Sequence, residues 1–234
     1  MIRTLLVLVF LGVSIPAAAM VAFPVVFVTG RIDFLYNLAM RIARGATRLA
    51  GIRVETSGLD RLDLARNYIY MANHVSNVDP PVLVPALPRR TSVLVKKELF
   101  RVPVLGRAMR MASLVPIERA NKEAAIASVR SAAAVIAAGL DMTVFPEGTR
   151  SRDGRLLPFK KGPFYLAMET GVPIVPITIL GTFEIQPKGR LAIEPGTATL
   201  VFHPPIDSSQ FQEREALMAA VRDSIASALP EERR

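Results

Sequence analysis

Between Arg3 and Arg31 no side chain is ionisable, and this uninterrupted run, Thr4–Gly30, sets the first limit on the fold. A stretch this long and apolar must be covered by protein or lipid, and it has the length of a bilayer span. It reads as a retained segment. Pro16-Ala17-Ala18-Ala19 superficially resembles a signal cleavage region, but the apolar character continues through Val21–Val28, past where a signal would end. Pro16 and Pro24 are expected to kink or break a helix here, so a single tilted span and a short re-entrant hairpin both fit.

The segment behind it is amphipathic. Asn37, Arg41, Arg44 and Arg48 recur at four, three and four residues and form one polar stripe of a helix, with Ile32, Leu35, Leu38, Ile42 and Leu49 on its other side. A basic amphipathic helix directly after an apolar run is expected to lie on an anionic leaflet, the alternative being a helix packed on the domain's core with a solvated arginine face. The positive-inside rule puts it, and the domain behind it, on the cytoplasmic face of the inner (plasma) membrane. The expected organisation is a membrane-anchoring helical segment over 1–52, apolar over 4–30 and basic amphipathic over 31–50, followed by one domain over 53–234.

Charge is uneven along the chain. Of 29 basic and 20 acidic residues in 234, the first 120 positions hold 16 and 7, and the remainder 13 and 13, so the whole net charge of +9 belongs to the first half. That half should attract phosphates or lipid headgroups. Nucleic acid is not expected as a partner, because there is no tryptophan, only 6% aromatics, and no basic stripe interleaved with stacking rings. The absence of cysteine excludes a disulfide framework and a cysteine nucleophile, and two histidines, His74 and His203, cannot build a multi-histidine metal centre.

Apolar runs suited to strands recur at Tyr68–Met71, Ser92–Val95, Met142–Phe145, Ile174–Leu180 and Thr197–Phe202. Helical patterns separate them: Ala124–Ala138 capped by Asn121 and ended by Gly139, then Pro163–Thr170 stopped by Gly171, then a last helix opened by a Ser209/Gln212 capping box and ending before Pro230. Strands alternating with helices indicate an α/β domain, a largely parallel sheet flanked by helices.

Two loops after predicted strands carry chemistry. Asn73-His74-Val75-Ser76-Asn77-Val78-Asp79-Pro80 follows the first strand, at the sheet end where open α/β folds bind ligands. A carboxylate five residues beyond an imidazole can bond one ring nitrogen, fix the tautomer and leave the other as a base. An ordinary surface or capping pair is the alternative. Phe145-Pro146-Glu147-Gly148-Thr149-Arg150-Ser151 follows a later strand; Gly148 allows a tight turn that aims N–H groups at an anion, and Arg150 offers a planar fork for phosphate. His203 reads as a structural residue at a strand end. No Gly-x-Ser-x-Gly elbow, no phosphate-binding Gly-x4-Gly-Lys-Ser/Thr run and no Gly-x-Gly-x-x-Gly fingerprint occurs.

Taken in order, these pieces resemble the lysophosphatidic acid acyltransferase (1-acyl-sn-glycerol-3-phosphate O-acyltransferase) family. Asn73-His74-x4-Asp79 is similar to its catalytic block, and Lys96-Lys97-Glu98-Leu99 with Pro103 and Gly106 to the next segment. Ile117-Glu118-Arg119 resembles the second block, with glutamate where aspartate is common. Phe145–Ser151 resembles the third block, and Val172–Ile177 the fourth. The resemblance implies the glycerolipid acyltransferase fold and transfer of a fatty acyl group from an acyl thioester to the sn-2 hydroxyl of 1-acylglycerol 3-phosphate, forming phosphatidic acid. It implies His74 as general base, Asp79 as its orienter, and Lys96, Arg119, Glu147, Gly148, Thr149 and Arg150 around the acceptor, with Glu147 expected to brace an arginine or touch a glycerol hydroxyl. Partners would be membrane lipids, a lysophospholipid acceptor and a thioester of acyl-carrier protein or coenzyme A. No cofactor and no metal are called for. Another acceptor (a lyso-ornithine lipid or glycerol 3-phosphate) and a non-catalytic lipid-binding protein are the alternative readings.

Overall fold

The apolar runs become the interior of one sheet. In a computed structural model the chain is described over residues 1–117 and 122–234, side chains excepted at 122–126. Among the described residues seven strands form the sheet: β1 (Ile52–Ser57), β2 (Ile69–Ala72), β3 (Thr91–Lys96), β4 (Val115–Ile117), β5 (Asp141–Val144), β6 (Ile174–Leu180) and β7 (Gly196–Phe202). Their order is β1-β7-β6-β2-β5-β3-β4, with every adjacent pair parallel except β6 and β7. The five strands expected from the sequence are the five interior ones; β2, β5 and β6 are buried almost throughout, whereas β3 is buried only at its start and β7 at alternate residues. The two that the sequence hid, β1 and β4, are the edges. β1 reads Ile-Arg-Val-Glu-Thr-Ser and exposes all but its first residue, the polar, charged make-up that protects an edge.

Helices cover both faces because strand side chains alternate. Ile69 and Met71 of β2 point into a core shared with α5 (Lys122–Ala137), α6 (Gly162–Thr170) and α8 (Arg214–Ser227) through Ile136, Phe164, Val221 and Ile225. Tyr70 and Ala72 of the same strand point the other way, into a core with Val82 and Leu83 of α3 (Asp79–Leu83) and, from the N-terminal helices, Val7 and Ala46. The architecture is therefore an α/β fold with a mostly parallel sheet flanked by helices.

The N-terminal run forms α1 (Ile2–Thr29), which stays helical through Pro16 and Pro24 rather than breaking at either. Gly30, in the left-handed region at φ 66°, ends it and reverses the chain into α2 (Ile32–Leu49). Ala22, Val26 and Leu35 seal this hairpin, and Ala108 and Met111 of α4 (Leu105–Met111) pack against it. At the hairpin's open end Arg3 reaches Ala50 O, at the end of α2, at 3.4 Å, and Ile193 N, in the segment before β7, donates to Thr4 Oγ1 at 2.9 Å. α1 is the one helix among the described residues long and apolar enough to cross a membrane, and most of its surface is uncovered. The expected stripe of α2, Asn37, Arg41, Arg44 and Arg48, is exposed, and Arg44 additionally donates to Pro85 O at 2.6 Å.

The predicted capping box does not form. Asp207 accepts from both the N–H and the hydroxyl of Ser209, at 3.0 and 2.8 Å, so that serine belongs to an Asx turn and α8 starts later, at Arg214. The Asn121 cap lies outside the described residues.

Candidate active site

The two motif loops leave the carboxyl ends of adjacent parallel strands, β2 and β5, and so meet. Asp79 opens α3 with Pro80 behind it, and its side chain is 0% exposed. One oxygen, Oδ2, accepts three hydrogen bonds: from His74 Nδ1 at 2.7 Å and from the Val75 and Ser76 N–H groups at 2.8 Å each. A carboxylate can only accept here, so Nδ1 carries the proton and Nε2 is left as the unprotonated nitrogen. The imidazole is 17% exposed, sheltered but reachable. Phe145 stacks on it with ring centroids 4.1 Å apart and planes at 24°. The spacing that sequence alone leaves between a base and a capping pair is thus an oriented imidazole.

The Phe145–Ser151 loop holds the histidine's own peptide group. His74 N donates to Glu147 Oε1 at 2.6 Å, and His74 O accepts from Ser151 N at 2.8 Å. The other Glu147 oxygen accepts from Leu157 N at 2.9 Å. Glu147 is 1% exposed, and burial raises its carboxyl pKa from an ordinary 4.5 to about 7, partly offset by the two backbone donors. The expectation that Glu147 braces an arginine or touches a glycerol hydroxyl is met differently: both of its oxygens are committed to backbone amides. Gly148 has φ 69°, the left-handed conformation the tight turn requires. Thr149 and Arg150 sit at the surface of the same loop, Thr149 exposed and Arg150 partly so. Lys96 ends β3, is exposed, and lies 3.6 Å from Glu98. Arg119 lies outside the described residues. Val172–Ile177 runs into β6, whose residues Ile174–Ile179 are buried within the sheet. His203 is buried and bonded through Nε2 to Thr178 Oγ1 at 2.8 Å.

Three contributors were not singled out by the sequence. Asn73 extends the β2–β6 ladder with its side chain, donating to Ile179 O at 3.0 Å and accepting from Ile179 N at 2.7 Å. Ser76 accepts from Val78 N at 3.0 Å and donates to Gln186 O at 2.7 Å, which closes the histidine loop. Phe145 supplies the stacking face. Asn73, Ser76 and Phe145 all stand inside the quoted motifs, so position was the available signal; Gln186, the partner of Ser76, offered none. Asn77, Val78 and Gln186 also border an apolar groove of about 770 Å³ that runs between α1, α2 and the domain.

Comparison with known proteins identifies the family. The model of the acyltransferase family matches residues 53–180. A protein of Cocos nucifera named 1-acyl-sn-glycerol-3-phosphate acyltransferase is 38% identical over 148 residues, 63% of this chain and 48% of that one. The 1-acyl-sn-glycerol-3-phosphate acyltransferase alpha of Mus musculus is 31% identical over 212 residues, 88% of this chain and 74% of that one. The chain spans about half the length of several plant relatives it matches. The crystal structure of the 1-acyl-sn-glycerophosphate acyltransferase PlsC from Thermotoga maritima superposes with a TM-score of 0.82 at 29% identity, covering 97% of this chain and 94% of that one. On this family match and these relatives, the chain belongs to the acyltransferase family, in its lysophosphatidic acid acyltransferase group.

Proposed function

We propose that this protein transfers a fatty acyl group from an acyl thioester to the sn-2 hydroxyl of 1-acylglycerol 3-phosphate, yielding phosphatidic acid and a free thiol. His74 Nε2 takes the hydroxyl proton as the oxygen attacks the thioester carbonyl. Asp79 holds the ring and stabilises the imidazolium, the base–orienter half of a serine-protease triad with the nucleophile supplied by the substrate. Collapse of the tetrahedral intermediate expels the thiolate, which takes the proton back. No covalent acyl-enzyme is formed. Arg150, Thr149 and the Gly148 turn, with Lys96 and Arg119, bind the acceptor's phosphate, and the apolar groove receives an acyl chain. The catalytic domain works on the cytoplasmic leaflet, with the α1–α2 hairpin as its anchor.

The observation that carries this reading is the 2.7 Å bond between His74 Nδ1 and a fully buried Asp79, in a loop at the carboxyl end of the sheet. The test is thiol release by the purified protein from coenzyme A and carrier-protein thioesters, each against 1-acylglycerol 3-phosphate, a lyso-ornithine lipid and glycerol 3-phosphate. The phosphorylated lysolipid is expected to be the preferred acceptor. His74→Ala is expected to lower turnover by about 10²–10⁴-fold, the contribution of a general base, while vesicle binding persists. Turnover at the native rate in that variant refutes the assignment. Arg150→Ala is expected to raise KM for the phosphorylated acceptor more than it lowers kcat, and the reverse pattern removes Arg150 from the headgroup site.

A further inference from the structure

Residues Gln186–Arg190 follow α7 (Thr182–Ile185) and lie beyond residue 180, where the match to the family model ends. They nevertheless run along both motif loops. On one side, Ser76 of the histidine loop donates to Gln186 O at 2.7 Å and pairs across a β-bridge with Pro187. On the other, Lys188 Nζ donates to Arg150 O at 2.7 Å and to Thr149 Oγ1 at 3.2 Å. The segment is itself stiffened: Gln186 Nε2 donates to Leu191 O at 3.1 Å, and Arg190 N to Pro187 O at 3.1 Å. One short turn thus spans the loop that carries His74 and Asp79 and the loop that carries Gly148–Arg150.

The chemistry of Lys188 fits more than a strut. Both of its partners are neutral oxygens, so these bonds leave its positive charge uncancelled. Lys96, by contrast, faces the carboxylate of Glu98 at 3.6 Å. An ammonium has three N–H donors, and two of the three on Lys188 fix the backbone carbonyl and hydroxyl of consecutive loop residues. The third is available to an anion at the same loop. A phosphomonoester carries a charge of about −1.5 to −2 near neutrality, more than one guanidinium balances.

We propose that Lys188 is a positioning and anion-recognition residue of the acceptor site: it fixes the Thr149–Arg150 turn and holds a second cation beside Arg150 for the acceptor's phosphomonoester. The proposal rests on the acyl-acceptor reading given above and adds to it a residue from outside the family's matched span. The test uses the full chain with Lys188→Met and Lys188→Arg. Two readouts are taken: steady-state thiol release, and equilibrium binding of 1-acylglycerol 3-phosphate beside the uncharged 1-acylglycerol. Lys188→Met is expected to raise KM and Kd for the phosphorylated lipid about tenfold, the loss of one charge-assisted hydrogen bond. Donor KM, kcat and 1-acylglycerol binding should stay within about twofold, and Lys188→Arg should recover most of the loss. An unmoved Kd for the phosphorylated lipid overturns the proposal. So does equal weakening for both lipids without rescue by arginine, which marks a merely structural strut. A native protein that binds the phosphorylated lipid through Lys188 yet transfers no acyl group supports the Lys188 assignment and refutes the acyltransferase reading alone.

Discussion

Two carboxylates near His74 do different work because their surroundings differ. Asp79 concentrates three donors on one oxygen, so it is an acceptor that orients the ring. Asp79→Asn would present an amide where three N–H groups converge, favouring the wrong tautomer. We expect a loss of turnover comparable to that of His74→Ala with acceptor binding intact, and a near-native kcat would refute the orienting role. Glu147 spreads two donors over two oxygens and anchors the peptide of His74 and that of Leu157. Its folded pKa of about 7 exceeds the unfolded 4.5, so the folded state holds that proton more tightly. The stabilisation it gives is complete below about pH 4 and is lost as pH rises through about 7. Glu147→Gln is expected to flatten the fall of melting temperature over that window, at a constant cost from the amide that then faces an N–H donor. Melting curves across the pH range check this, and an unchanged slope would show that another group is responsible.

At the next level up, the two motif loops are only as well placed as the strands that launch them. β2 and β5 are central, fully buried and short, so their ends are rigid platforms. The β5 loop then turns sharply at Gly148, where a Cβ would come within 3.2 Å of Lys160 Cγ and the positive φ would be strained. Gly148→Ala is expected to cost about 1–2 kcal/mol and to weaken acceptor binding by displacing Thr149 and Arg150. Chemical denaturation with acceptor KM measures both, and native values for both would mean the turn tolerates a side chain. β2, β5 and β6 were legible because burial on two faces demands a largely apolar run, and β3 and β7 from the shorter apolar stretches that their buried positions need. β1 and β4 were not, since an edge strand needs neither. The last helix was misjudged at its start because Ser209, the predicted cap, is bonded by Asp207 instead, and local propensity does not say which arrangement wins.

The molecule as assembled joins an apolar helical hairpin to an α/β sheet through one core. Val7, in the first turns of α1, is 6% exposed within the cluster that holds Tyr70 and Ile177, whereas Phe27, at the far end of the same helix, is 87% exposed. Opposite consequences follow. Val7→Asp buries a charge and is expected to lower the melting temperature sharply. Phe27→Glu is expected to leave folding unchanged and to weaken co-sedimentation with anionic vesicles. A Val7→Asp protein as stable as the native one would separate the hairpin from the domain, and unaltered sedimentation of Phe27→Glu would take that end of α1 off the lipid surface.

Spacing and burial demand act along the chain, so the residues already specified the long apolar N-terminal run, the alternation that makes an α/β sheet, and the histidine with an aspartate five positions on. What they could not specify is what crosses the chain. The antiparallel turn of β7, the clamp of Glu147 and Ser151 on the peptide of His74, and the reach of Gln186 and Lys188 to loops more than a hundred and nearly forty positions earlier arise only when distant segments pack. Hydrogen bonds of that kind depend on where folded backbones meet, and no local pattern of residue types encodes that meeting place.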